Sequence, residues 1–196
     1  NSGFQSGPTV KFLGTQGLQI GDNATAHTSN NTVVIGHGAG EGGNAGHVRT
    51  IVGYEAGKSA NILEDNTAVG YHAMNASYTY QSAALGHEAM EQAQCDRGVG
   101  IGYRALYDTD ATGGAVDYTT AVGWECGKGA TNAASSVFIG AAAGKTCAGP
   151  RNICVGMSAG DGGLNGYDNV YIGETTGQAC NGGRNVVVGR GAARSL

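Results

Sequence analysis

The 196-residue sequence predicts an all-β fold, a parallel β-solenoid of about 11 coils of 16–17 residues each, on three observations. The first is a glycine that returns at Gly21, Gly36, Gly53, Gly70, Gly86, Gly102, Gly123, Gly140, Gly156, Gly173 and Gly189, at spacings of 15 to 17 residues with a single one of 21. The second is a short β-branched run just before each of these glycines. The third is composition: 37 glycines, two prolines and 13% charged residues, where an average domain holds about 7% glycine and about 25% charge. Such a chain turns often and exposes few ions.

The period sets the architecture. About 17 residues are too few for two helices and a turn, or for a propeller blade. They suit one coil whose strand pairs with the next at ~4.8 Å, so eleven coils build a rod about 50 Å long. Each glycine is expected at a corner where φ is positive or the backbone passes close to a neighbour. The residue before each glycine is Ile20, Ile35, Val52, Val69, Leu85, Ile101, Val122, Ile139, Val155, Ile172 or Val188. Two places earlier stand Leu18, Val33, Thr50, Thr67, Ala83, Val99, Thr120, Val137, Ile153, Val170 and Val186. An apolar period of two over a β-branched run reads as a strand with one buried face, which puts both rows inside the coil. Three places after the glycine the chain has alanine in nine copies, with Cys126 and Thr176 in the other two, a site too tight for a larger side chain. Residues 1–16 precede the repeat as a lead-in or capping segment, 17–196 form the solenoid, and the long spacing inserts about four residues near 107–117.

Several classes are excluded. Two prolines rule out collagen, and a 40% hydrophobic content recurring in order rules out disorder. A net charge of −4 without a Lys/Arg cluster is not the footprint of a nucleic-acid binder. No apolar run approaches the ~18 residues of a membrane span, so no membrane insertion is expected, and Asn1-Ser2-Gly3 does not read as a secretion signal. The five cysteines, Cys95, Cys126, Cys147, Cys154 and Cys180, are odd in number and lack a Cys-x-x-Cys pair, against a closed disulfide set or a zinc site. Cys147 and Cys180 share an offset from their glycines but lie two coils apart, ~9.5 Å, beyond the roughly 7 Å reach of a disulfide. Cys126 replaces the tight alanine and reads as a small buried residue.

The most informative variable position follows the glycine: Asp22, His37, Tyr54, Tyr71, His87, Tyr103, Trp124, Ala141, Met157, Glu174 and Arg190. Strict alternation would group it with the strand rows assigned to the core, where ions are costly. The glycine is therefore expected to break the alternation and turn this row outward. His37, Tyr54, Tyr71, His87, Tyr103 and Trp124 then form a ladder about 25 Å long. It suits contact with sugar rings or another apolar surface, or rings stacking on one another. In the insertion Asp108, Asp110 and Asp117 offer oxygens to Ca²⁺, but the run lacks the closing acidic ligand and reads equally as a solvated loop. Gly38–Gly43 and Gly140–Thr146 imitate nucleotide loops, yet the first opens no helix and the second begins on a coil glycine. The histidines are scattered over different copies, with no H-E-x-x-H or G-x-S-x-G string, so no catalytic residue, cofactor or enzyme activity is expected.

The copies Asn66-Thr67-Ala68-Val69-Gly70-Tyr71-His72-Ala73, Thr119-Thr120-Ala121-Val122-Gly123-Trp124-Glu125-Cys126-Gly127 and Asn31-Thr32-Val33-Val34-Ile35-Gly36-His37-Gly38-Ala39-Gly40 resemble a known repeat. They are similar to the N-T-A-V-G-Y-x-A-G repeats of bacteriophage tail-fibre-like proteins and to the shorter N-S-x-A-I-G repeats in heads of trimeric autotransporter adhesins, over roughly residues 17 to 193. The resemblance implies trimeric, left-handed parallel β-roll fibres that stand off a virion or cell and contact host surfaces. The small coil points the same way, since a single chain encloses little core and three chains packed about one axis would remedy that. The expectation is an extracellular, cell-surface or virion fibre or adhesin module, a homotrimer, that presents its aromatic row to a host-surface glycan or protein. A purely structural subunit of an extracellular filament stands beside it. An ice-binding solenoid is disfavoured, because threonine recurs at one strand position only in Thr50, Thr67 and Thr120.

Overall fold

The structure, a computed structural model, describes residues 10–13, 17–24, 32–42, 49–59, 61–62, 65–109, 116–162, 165–178 and 181–193. Its strands are β1 (Val10–Leu13), β2 (Gly17–Ile20), β3 (Thr32–Ile35), β4 (Arg49–Val52), β5 (Asn61–Ile62), β6 (Thr67–Val69), β7 (Tyr78–Tyr80), β8 (Ala83–Leu85), β9 (Gln94–Asp96), β10 (Val99–Ile101), β11 (Thr120–Val122), β12 (Val137–Ile139), β13 (Ile153–Val155), β14 (Val170–Ile172) and β15 (Val186–Val188). Among the described residues there is no helix.

Each β-branched run before a coil glycine is a strand, and the eleven of them, β2, β3, β4, β6, β8 and β10–β15, stack in sequence order as one parallel sheet. The register advances by one whole repeat per step, with Thr67 beside Ala83 and Val69 beside Leu85. The chain is thus a parallel β-solenoid. At the first coil β1 pairs antiparallel with β2, Val10 opposite Ile20, and covers the outer edge of the stack. On the return side β5, β7 and β9 form a second parallel sheet of three strands, which the repeat pattern did not announce.

The strand parity is the reverse of the sequence expectation. The buried residue is the central one: Gln19, Val34, Ile51, Ala68, Ala84, Gly100, Ala121, Phe138, Cys154 and Tyr171 all point inward. The β-branched residues on either side face out, and Leu85 (47%), Ile139 (42%) and Ile172 (41%) keep much of their surface exposed. The physical reason is the width of the coil. Its interior is closed on the far side by the buried Ala39, Ala56, Ala73, Ala89, Ala105, Cys126, Ala143, Ala159 and Thr176, leaving space for one more row only. Cys126 in this row is buried, as expected from its place in the repeat.

In most coils that remaining space is filled from one of two positions. Where the strand centre is Ala68, Ala84 or Gly100, the residue four places after the coil glycine is Met74, Met90 or Leu106, each fully buried. Where the strand centre is Phe138 or Tyr171, the partner is Gly144 or Gly177, and a Cβ on either would lie under 3.0 Å from the ring. Ala121 and Gly127 are both small, and their space is taken by neighbours: a Cβ on Gly127 would meet Leu106 at 2.8 Å and Phe138 at 3.1 Å. The bulk thus comes from the strand, from the arc or from a neighbouring coil, and the space is kept filled, as close packing demands.

The coil glycines carry φ between 127° and 143°. From Gly21 to Gly173, a Cβ on each would sit within 2.7 Å of the carbonyl oxygen of the glycine one coil on. Positive φ and close approach therefore both apply, and only glycine meets them. After the corner, every second residue is left-handed. In three successive coils His72, Met74, Ala76, Glu88, Met90, Gln92, Arg104, Leu106 and Asp108 all have φ of 50° to 55°. A left-handed non-glycine residue costs on the order of 1 kcal/mol. Ladder hydrogen bonds offset it: His72 N donates to Tyr54 O at 2.9 Å, Met74 N to Ala89 O at 2.9 Å and Ala76 N to Lys58 O at 2.9 Å. In other coils Gly38, Gly40, Gly42, Gly127, Gly129 and Gly160 occupy these left-handed sites, the second use of the glycine excess.

The residue four places before the glycine, polar in nine of the eleven copies, turns inward at the second corner. Ser82 N donates to Asn66 Oδ1 at 2.7 Å, and Gly98 N to Ser82 Oγ at 3.1 Å. Asn152 N donates to Ser136 Oγ at 3.0 Å, Asn169 N to Asn152 Oδ1 at 3.0 Å, and Asn185 N to Asn169 Oδ1 at 2.9 Å. This column satisfies backbone donors that would otherwise be buried without partners.

Candidate functional site

The coil glycine sits at the corner, and its missing side chain is directed along the stack toward the next coil. The row after it faces out, as do the two strand rows of the same parity, so the predicted exposure holds for a different reason from the one expected. Three outward rows lie side by side along the stack: two largely aliphatic rows on the long sheet, one of them interrupted by Thr50, Thr67 and Thr120, and, around the corner, the row from Asp22 to Arg190.

His37, Tyr54, Tyr71, His87, Tyr103 and Trp124 form the predicted ladder. Ring centroids are 5.2 Å apart for His37 and Tyr54, 5.3 Å for Tyr54 and Tyr71, 4.7 Å for Tyr71 and His87, 5.4 Å for His87 and Tyr103, and 6.3 Å for Tyr103 and Trp124. All neighbouring pairs are stacked except His87 and Tyr103, tilted by 36°, and the rings still leave an outer edge in solvent. The ladder ends on Trp124, 53% exposed, beyond which come Ala141 and the half-exposed Met157.

Beside the rings runs a row of charges that periodicity did not single out. Glu55 faces Lys58 at 2.7 Å and His72 at 3.1 Å, and His72 lies 3.5 Å from Glu91. Arg104 pairs with Glu88. Glu125 is held by Lys128 and Lys145, both at 2.8 Å, and these two ammonium groups lower its pKa from the ordinary carboxylate value. Lys145 belongs to the phosphate-loop look-alike Gly140–Thr146, which here is an ordinary coil arc.

Two of the three calcium candidates fall on described residues. Asp108 is an exposed arc residue, Asp110 lies outside the described residues, and Asp117 Oδ1 accepts the backbone N–H of Asp96 at 2.9 Å. Among the described residues no group of three or more His, Cys, Asp or Glu could hold a metal ion. Cys95, Cys126, Cys147 and Cys154 are free and buried, and Cys180 lies outside the described residues. Burial pushes the thiols of Cys95 and Cys126 up to about 12 and raises those of Cys147 and Cys154 as well. Among the described residues no helix is long and apolar enough to cross a membrane.

A second exposed cluster lies at the opposite corner. The Arg97 guanidinium lies 5.7 Å over the Tyr80 ring and 5.2 Å over that of Tyr118, donates to Tyr118 Oη at 2.7 Å and, through Nε, to Gln81 Oε1 at 3.1 Å. Its signal in the sequence is positional: Gln81, Arg97 and Tyr118 each stand five places before a coil glycine.

Comparison with protein-family models, curated proteins and solved structures finds no match.

Proposed function

We propose that the chain is a shaft or head module of an extracellular or virion fibre, a homotrimer joined through the outward aliphatic rows, with the aromatic ladder beside the seam contacting a host or cell-surface glycan. The observation that carries this reading is the aliphatic face of the long sheet. Eleven coils at ~4.8 Å give it a length of about 50 Å. With a width of about 12 Å that is roughly 600 Å², at the upper end of what monomers leave exposed and close to one partner's share of a standard interface. Two rows suit a threefold axis, each chain giving one row to each neighbour. The repeat resemblance supports the same stoichiometry.

Sedimentation equilibrium tests the assembly. A mass near three times 19.6 kDa is expected, and Leu85→Asp with Ile139→Asp should give a folded monomer. A wild-type monomer at tens of micromolar would remove the basis for the trimer. Glycan-array binding that disappears in Tyr71→Ala and Trp124→Ala, with circular dichroism unchanged, is expected for the contact surface. The self-stacked rings favour one other reading, a filament subunit whose ladder only stiffens the rod. Rods in negative stain without glycan binding would select it.

A further inference from the structure

The ring ladder stops one coil short of a further large side chain. Ala142 N donates to Trp124 O at 2.8 Å, and Ser158 N to Ala141 O at 2.8 Å, so Trp124, Ala141 and Met157 occupy the same row in three consecutive coils. Tyr103 stacks on Trp124 from the preceding coil. The opposite face of the indole therefore looks along the stack toward Ala141, whose methyl group fills little of the space up to Met157, itself 51% exposed. Two coil steps span ~9.6 Å. A flat ring lying over Ala141 would sit about 4.8 Å from each wall, within the range in which rings stack and close to the 4.7 Å to 5.4 Å spacings from His37 to Tyr103.

We infer that the gap over Ala141 is a subsite for one neutral hexopyranose ring, held by its C–H face between the Trp124 indole and the Met157 thioether. This rests on the reading of the ladder as a contact surface. The surroundings match an amphipathic ring. On one flank lie the apolar, outward-facing Val122, Ile139 and Val155 of the long sheet. On the other lie the arcs of the same three coils, with Glu125 bound to Lys128 and Lys145 at 2.8 Å and Asp161 in electrostatic contact with Lys145. Two carboxylates and two ammonium groups sum to zero charge. That arrangement offers hydrogen-bond partners to hydroxyl groups and no net attraction to an acidic sugar.

Trp124 is the only tryptophan in the chain, so its emission reports on the subsite. The full chain is titrated with methyl β-galactopyranoside, methyl α-glucopyranoside and methyl α-mannopyranoside, with sorbitol as a ring-free control. A saturable change with at least one pyranoside and none with sorbitol is expected. Ala141→Tyr places in the gap a residue the row already carries at Tyr54, Tyr71 and Tyr103, and should weaken the response about tenfold or more. Met157→Ala should weaken it several-fold, and Tyr118→Phe, at the opposite corner beside Arg97 and outside the ladder, should leave it unchanged. Wild-type sugar binding that survives both Ala141→Tyr and Met157→Ala overturns the subsite and leaves the ladder reading standing. No response to any pyranoside, together with an empty glycan array, overturns both. Emission that changes only with protein concentration also overturns the subsite, by showing that a side chain of a second copy fills the gap.

Discussion

The coils from Ala68 to Leu106 and those after Gly123 solve the same packing problem from opposite sides. Between Ala68 and Leu106 the strand centres are Ala or Gly, and Met74, Met90 and Leu106 reach in from the arc. Between Phe138 and Gly177 the strand supplies the bulk through Phe138 and Tyr171, and the arc gives way with Gly144 and Gly177. The repeat thus allows one large inward side chain per pair of positions and leaves open which of the two provides it. The polar column differs in parallel. Ser82 and Gly98 continue from Asn66 in the first group, whereas Asn152, Asn169 and Asn185 form an unbroken amide run in the second.

The largest effect is expected from violating that volume rule. Gly144→Met puts a side chain onto the Phe138 ring at a residue with φ of 62°, and should abolish cooperative unfolding in urea. Combining it with Phe138→Ala recreates the Ala68 and Met74 arrangement and should restore a sigmoidal transition. If the double variant is no better than Gly144→Met, the exchange between the two positions is wrong. Next, Phe138→Ala is expected to cost about 3–5 kcal/mol and Met90→Ala about 2–5 kcal/mol by denaturant titration. Clearly unequal losses, with Met90→Ala near zero, would show that only the strand-filled coils carry the core.

Alkali should separate the two groups by a smaller margin. A thiol whose pKa is raised on folding contributes stability that is complete below its unfolded value near 9 and is lost as pH rises toward the folded value. For Cys95 and Cys126 that window runs from about 9 to about 12. Cys126, Cys147 and Cys154 lie after Leu106, and only Cys95 lies before it. The melting temperature should therefore fall steeply above pH 9. Cys154→Ala should flatten that fall, and an unchanged pH profile would count against the burial of this thiol. Smallest, Asn169→Ala should cost about 1–3 kcal/mol, because its side chain accepts from Asn185 N at 2.9 Å and donates to Gly182 O at 2.9 Å. Ser82→Ala, which also interrupts the column, gives the matching measurement in the first group.

The coil glycine, the tight alanine and the outward ring row were legible in the sequence because each is a fixed residue type at a fixed offset. The strand parity was not. Val69, Val122 and Val155 look like core residues, while Ala68, Ala121 and Cys154 between them vary in size and look incidental. The clue lay in pairs six residues apart: Ala68 with Met74, Gly100 with Leu106, Phe138 with Gly144 and Tyr171 with Gly177. Their sizes trade off within one coil, and no single offset shows it. The return sheet and the Arg97 cluster went unseen because Tyr78–Tyr80 and Gln94–Asp96 share no residue pattern with the other coils.

The glycine column gives the rod a free choice of length. Every unit offers the next an identical face, carbonyl toward the missing side chain, so one complete winding can be duplicated or excised without disturbing the neighbours' register. Joining Val69 directly to Gly86 removes sixteen residues and should yield a shorter, native-like shaft. Gain and loss of whole units would then change how far the molecule reaches while the means by which it winds stay the same.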